Sequence, residues 1–230
     1  MIKQSIVGGH NCIQIASGSN SIIINGRTIG GSDGIVGNGI TTAKCRKIDG
    51  FSDIILNGPI SFLFSVVWDE APTVAIEADE NILPFVKTEV ENEVLNVWLD
   101  GCLSTNNPIK VAATMPRSIK SFRSNGSGRA ELRGIDSVKL RICLNGSGKI
   151  ISKGRVDTLS VELNGSGDIK TPKLSARDVI ACLNGSGDLH VCAHSSISVI
   201  LSGSGDIEVD GNPVKRETKI IGSGDINWND

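Results

Sequence analysis

Aromatic side chains are scarce in this sequence: 3% of 230 residues, with no tyrosine, three tryptophans and five phenylalanines. Clefts that bind and cleave sugars are usually lined with rings, so a polysaccharide lyase or hydrolase is disfavoured. The few rings present are expected inside. Long apolar runs are also missing. The longest mostly apolar stretch, residues 60–68, falls well short of the roughly 20 residues a membrane-crossing helix needs, so no membrane span is expected. No basic cluster occurs and the formal net charge is −2. A surface that tracks phosphates is therefore disfavoured, and no nucleic-acid partner is expected. The six cysteines (Cys12, Cys45, Cys102, Cys143, Cys182, Cys192) have no CxxC spacing. Met1 to His10 lacks the apolar core of a secretion signal, so the default expectations are free thiols and the cytoplasm. There is no P-loop and no dinucleotide fingerprint. No catalytic residue and no cofactor are expected.

Glycine, by contrast, is abundant at 27 residues, and much of it is periodic. Gly-Ser-Gly recurs at 126–128, 146–148, 165–167, 185–187, 203–205 and 222–224, with offsets of 20, 19, 20, 18 and 19 residues. Asn precedes the first four copies (Asn125, Asn145, Asn164, Asn184) and Asp follows the last four (Asp168, Asp188, Asp206, Asp225). Apolar residues alternate with polar ones into the turns, as in Val138, Leu140, Ile142, Leu144 and in Leu159, Val161, Leu163. Another apolar residue follows each of the last five turns (Ile150, Ile169, Leu189, Ile207, Ile226). A unit of strand, glycine turn and strand has one small apolar face and must stack on its neighbours. About 19 residues suits one coil of a parallel β-helix. Glycine supplies the positive φ of the corners. Asn and Ser at matching corners are expected to bond from coil to coil, and the varying period is expected to fall in loops on one side.

The spacing gives two segments, a β-rich cap or association segment over 1–50 and a solenoid over 51–230. Within the solenoid, 51–118 reads as irregular coils and 119–230 as the Gly-Ser-Gly coils. Residues 1–50 contain a stretch, Ile13 to Ile24 around Ser17-Gly18-Ser19-Asn20, that resembles one degenerate coil. Asp79 to Val86 suggests a helical turn, and Trp228 is placed to plug the final layer. Self-association through residues 1–50 or the solenoid ends is a further expectation.

The run Asp79-Glu80-Asn81-Ile82-Leu83-Pro84-Phe85-Val86-Lys87-Thr88-Glu89-Val90, the strand Val111 to Pro116, the Asn/Ser-Gly-Ser-Gly-Asp series and the turn Asp210-Gly211-Asn212-Pro213 together resemble the head-GIN domain family of bacteria, also called auto-transporter adhesins. The resemblance covers roughly 48–228. It implies a right-handed parallel β-helix that is exported or at the cell surface and binds a protein or glycan partner. It supplies no catalytic residues.

Two constellations invite a chemical reading. Asp168, Asp188, Asp206 and Asp225, stacked one coil apart, would form a carboxylate ladder with oxygen ligands for a cation. Arg129 and Lys149 take the same place in the first two coils and oppose this, so the aspartates are read as bonding turn amides. His190, Cys192 and His194 share one strand face and are a zinc-type ligand set. Ligands at i and i+2 diverge, however, and a solvated face is the expected reading. Cys143 and Cys182, two coils apart with Glu162 between them, lie beyond disulfide reach and are read as thiols on the outer face. The sequence thus points to a non-enzymatic interaction or adhesion-type module. A carbohydrate-active enzyme and a self-assembling scaffold are the alternatives.

Overall fold

A computed structural model of the chain describes residues 34–229 throughout and, in the first 33 residues, the backbone of four short strands. Those four, Ser5–Gly8, Asn11–Ile15, Ile22–Ile24 and Arg27–Ile29, pair antiparallel in chain order. The stretch around Ile13 to Ile24 is therefore hairpin-paired, and not a parallel coil as its spacing suggested. Its Ser17 to Asn20 turn lies outside the described residues, as does the side chain of Cys12.

The rest is an all-β solenoid of about five turns, with fifteen strands joined in one sheet and Ile35–Val36 paired in parallel with Leu103–Ser104 in a separate two-stranded one. No α-helix occurs among the described residues, and the turn expected near Asp79 to Val86 is a single 3₁₀ turn, Leu83–Phe85. Each regular coil is one long strand between two glycine turns: Arg129–Gly146, Lys149–Gly165, Asp168–Gly185 and Asp188–Gly203. Neighbouring coils pair in parallel, in a register that sets turn on turn. Alternation of side chains sends one set inward. Ile54, Phe122, Ile142, Val161, Ala181 and Val199 form one buried column, in register from coil to coil. Phe62, Ala130, Ile150, Ile169, Leu189 and Ile207 form another on the opposite face. The largest and smallest of these adjoin, since Ala130 lies beside Phe62 where the Phe62 and Phe122 rings meet at 5.7 Å. Each such leucine or isoleucine contributes about 1.5–3 kcal/mol by leaving water.

The variable period is absorbed differently from expectation. Coil lengths differ by register shifts within the long strands, between Leu132 and Ile135, Ile151 and Lys153, Lys170 and Ser175, and Ala176 and Asp178. Bulges of this kind accommodate an extra residue without ending the strand. Val138 faces outward, 66% exposed, although its sequence spacing grouped it with inward Leu140.

Upstream, Asp53–Asn57 and Ser61–Val66 form one complete coil stacked on the repeats. What precedes it on the sheet is hairpin-like: Val86–Glu91 with Val94–Leu99 on one face, and Lys110–Met115, Thr73–Asp79 and Thr41–Lys47 on the other. Residues 41–47 thus belong to the main sheet. At the far end, Arg216, Thr218 and Ile220 of the last coil sit in register with Ile197, Val199 and Leu201. The Arg216 guanidinium covers the Trp228 ring at 4.3 Å, and Trp228, half-buried, packs against the core at this end without closing it, since Lys215–Gly222 stays exposed.

Candidate binding faces

The repeat itself is a structural device. Gly165 has φ +133°, and the preceding turn approaches so closely that a Cβ on Gly165 would lie 2.5 Å from Gly146 O. That approach lets Ser166 N and Gly167 N both donate to Gly146 O, at 3.1 and 3.0 Å. Beside the turns runs an asparagine ladder. Asn125 Nδ2 donates to Asn57 Oδ1 at 2.8 Å, Asn145 to Asn125 at 2.7 Å, Asn164 to Asn145 at 2.9 Å and Asn184 to Asn164 at 2.9 Å. The expected coil-to-coil bonding is therefore carried by Asn. The turn serines are exposed, and no side-chain hydrogen bond is found for them among the described residues. The first rung, Asn57-Gly58, escaped the sequence reading because Pro59 replaces the Ser-Gly that marks the other copies. The signal was there, in an Asn-Gly placed directly after alternating Ile54 and Leu56.

Asp168 and Asp188 stack in register, and Asp206 and Asp225 continue the row. Only part of the row holds turns: Asp206 Oδ1 accepts from Asp225 N at 3.0 Å, whereas Asp168 pairs with Lys149 at 3.1 Å. His190, Cys192 and His194 do share the outer face of one strand; Cys192 Sγ lies 3.7 Å from His194 Nε2, but His190 turns away from both. His190 sits between Asp210 (2.8 Å) and Glu208 (3.1 Å) of the next coil, while His194 contacts Ser175 of the previous one at 2.9 Å. Among the described residues, no group of three or more His, Cys, Asp or Glu side chains converges to hold a metal ion.

The five described cysteines are free. Cys143 and Cys182 flank Glu162 in register, as their spacing implied. Cys143, however, is buried despite its outward position, 5% exposed, near Arg141, Glu162 and Asn145. Burial, and then the Glu162 charge, push its thiol up, and burial does the same to Cys192, so neither is an activated nucleophile.

Three further features stand apart from the repeats. Asp79 is buried and clasps a loop. Its carboxylate accepts from Asn107 at 2.6 Å and Thr105 at 2.7 Å, and these bonds outweigh burial to hold it below the usual carboxylate range. Second, a shallow trough of about 340 Å³ crosses the strands, with Ala75, Ala112 and Leu63 along its floor. Its rim pairs Lys110 with Glu77 at 2.7 Å, and Glu131 with Arg133 (2.9 Å) and Lys153 (3.1 Å). Hydrogen bonds from Arg133 and then Lys153 hold the Glu131 carboxyl down to about 2. Third, Trp68 is 68% exposed, contrary to the expectation that every ring is inside. It stands on the connection between Ser61–Val66 and Thr73–Asp79, a loop that gives it no core to enter.

Solved structures share the fold. A "putative adhesin" from Parabacteroides merdae matches with TM-score 0.68 at 19% identity, covering 86% of this chain and all of that one. A second from Bacteroides fragilis matches at 0.69 and 20%, covering 85% and 100%. A "putative lipid binding protein" from Parabacteroides distasonis matches at 0.59 and 22%, covering 85% and 99%. No curated protein matches the chain in sequence. The model of one family, described as "Putative auto-transporter adhesin, head GIN domain", matches residues 50–213, more than half of the sequence, and the chain belongs to that family.

Proposed function

We propose that this chain is a non-enzymatic adhesion-type module, displayed outside the cytoplasm, that binds a protein or glycan partner with the outer face of its solenoid. The observation that carries this reading is the surface itself. Core columns, turns and the asparagine ladder hold each outward row in fixed register, giving a rigid array of polar side chains one strand spacing apart. Preorganisation of that kind lowers the ordering cost of binding. The depressions on it, the apolar-floored trough and the one beside Trp68, are broad and open, which suits lateral contact with a large partner. Family membership supports an exported or surface location in place of the cytoplasm that the N-terminus suggested. Self-association through residues 1–50 or the solenoid ends stands as part of the same proposal, because the last long strand, Lys215–Gly222, is exposed along its whole length. The test is retention of intact cells on a surface coated with the full chain. Retention above an albumin-coated control supports the reading, and retention equal to the control sinks it.

A further inference from the structure

Of the eight aromatic side chains, all among the described residues, only Trp68 is exposed. The phenylalanines are buried or half-buried, Trp98 is half-buried, and Trp228 lies under Arg216. A large ring held in solvent is informative where an exposed small apolar residue is not. Trp68 stands over an open depression of about 740 Å³ at the corner of the solenoid, with exposed Val138 beside it. Gly134 and Gly154 keep the floor bare. A Cβ on Gly134, where φ is +71°, would press on Val66 at 3.3 Å, and one on Gly154 would collide with Ile135 O.

The rim carries Asp136, Arg155 and Asp157. Asp136 and Arg155 are register neighbours on adjacent strands, yet neither side chain makes an ion pair or hydrogen bond among the described residues. Asp157 is likewise uncommitted, since Arg177, the cation whose charge reaches it, bonds Asp178 at 2.9 Å. Two carboxylates that accept and a guanidinium that donates five N–H groups therefore keep their hydrogen-bonding capacity beside a flat apolar ring. A pyranose fits that pattern. Its C–H face covers an indole, and its hydroxyls donate to carboxylates while accepting from a guanidinium. A cationic peptide fits less well, because Arg155 stands among the carboxylates. Acidic sugars would face two negative charges against one positive.

We infer that the Trp68 depression is a subsite for a neutral pyranose unit of a glycan. The inference rests on the adhesion reading and deepens it. The experiment applies the full chain and its Trp68→Ala, Trp68→Phe and Asp136→Ala variants to an array of neutral and acidic glycans. The best-bound glycan is then titrated by calorimetry. Trp68 is in solvent, so circular dichroism of the variants should match the parent. The expected result is selective retention of neutral glycans, a loss of affinity of tenfold or more in Trp68→Ala, partial recovery in Trp68→Phe, and a several-fold loss in Asp136→Ala. Equal binding by the parent and Trp68→Ala, a preference for acidic glycans, or no glycan retained by the parent would each overturn it. Cell retention measured in parallel separates the two readings: cells held by a chain that binds no glycan, and released by protease treatment, leave the adhesion module standing with a protein partner.

Discussion

Replacing Asn145 by alanine removes two ladder bonds at once, the 2.7 Å bond it donates to Asn125 and the 2.9 Å bond it accepts from Asn164. Replacing Asn57, the terminal rung, removes one, the 2.8 Å bond from Asn125. A neutral hydrogen bond contributes about 1 kcal/mol net, with less lost where water can take the vacated place. Asn145 is half-buried and Asn57 exposed. The expected costs are therefore about 1.5–2.5 kcal/mol for Asn145→Ala and about 0.5–1 kcal/mol for Asn57→Ala. Polarisation along the chain of amides widens the gap, because cutting an inner rung interrupts two segments of ladder. With a urea slope of about 2–3 kcal/mol/M, the unfolding midpoint should fall by about 0.8 M for the inner rung and about 0.3 M for the outer. Far-ultraviolet circular dichroism in urea reads both. Equal midpoints, or a larger loss from Asn57, would refute the ladder as a cooperative support of the stack.

Three other outcomes follow from the same geometry. Gly165→Ala forces a side chain to φ +133° and 2.5 Å from Gly146 O, so thermal unfolding by differential scanning fluorimetry should show a loss of about 2–4 kcal/mol. Glu131 has a folded pKa of about 2, below its ordinary 4.5, so its contribution to stability is present above pH 4.5 and is lost as the pH falls towards 2. The Glu131→Gln variant should lose that part of the acid sensitivity in urea titrations across the window. If the start of the 1–50 segment mediates association, deleting residues 1–33 should lower the number of chains per particle measured by light scattering, and an unchanged number would remove that role from residues 1–33.

The regular coils were legible because their physics is local and repeated: a glycine corner, alternation into the core, one rung per turn. The first coil was harder to read. Asn57 lies 68 residues from its partner Asn125, and the intervening hairpins hide a period that exists only in space. Alternation misled at one position. Val138 follows the alternation, yet it stands in solvent while Leu140, two residues on, is buried. The metal-type reading of His190, Cys192 and His194 turned on side-chain direction. Spacing puts them on one face, and only the neighbouring coils decide that His190 turns to Asp210 and His194 to Ser175. The clasp at Asp79 and the exposed Trp68 depend on loop placement, which no pattern of spacing encodes. Burial of outward Cys143 arises from neighbouring side chains, which alternation does not register.

The central claim is that this solenoid binds and does not turn over what it binds. The direct measurement is an isotherm of fluorescently labelled full chain on intact cells, with released reducing ends assayed in the same samples. The account predicts saturable binding, displaced by excess unlabelled chain, with reducing ends constant over time. Binding that never saturates, or reducing ends that accumulate in proportion to added chain, would contradict it.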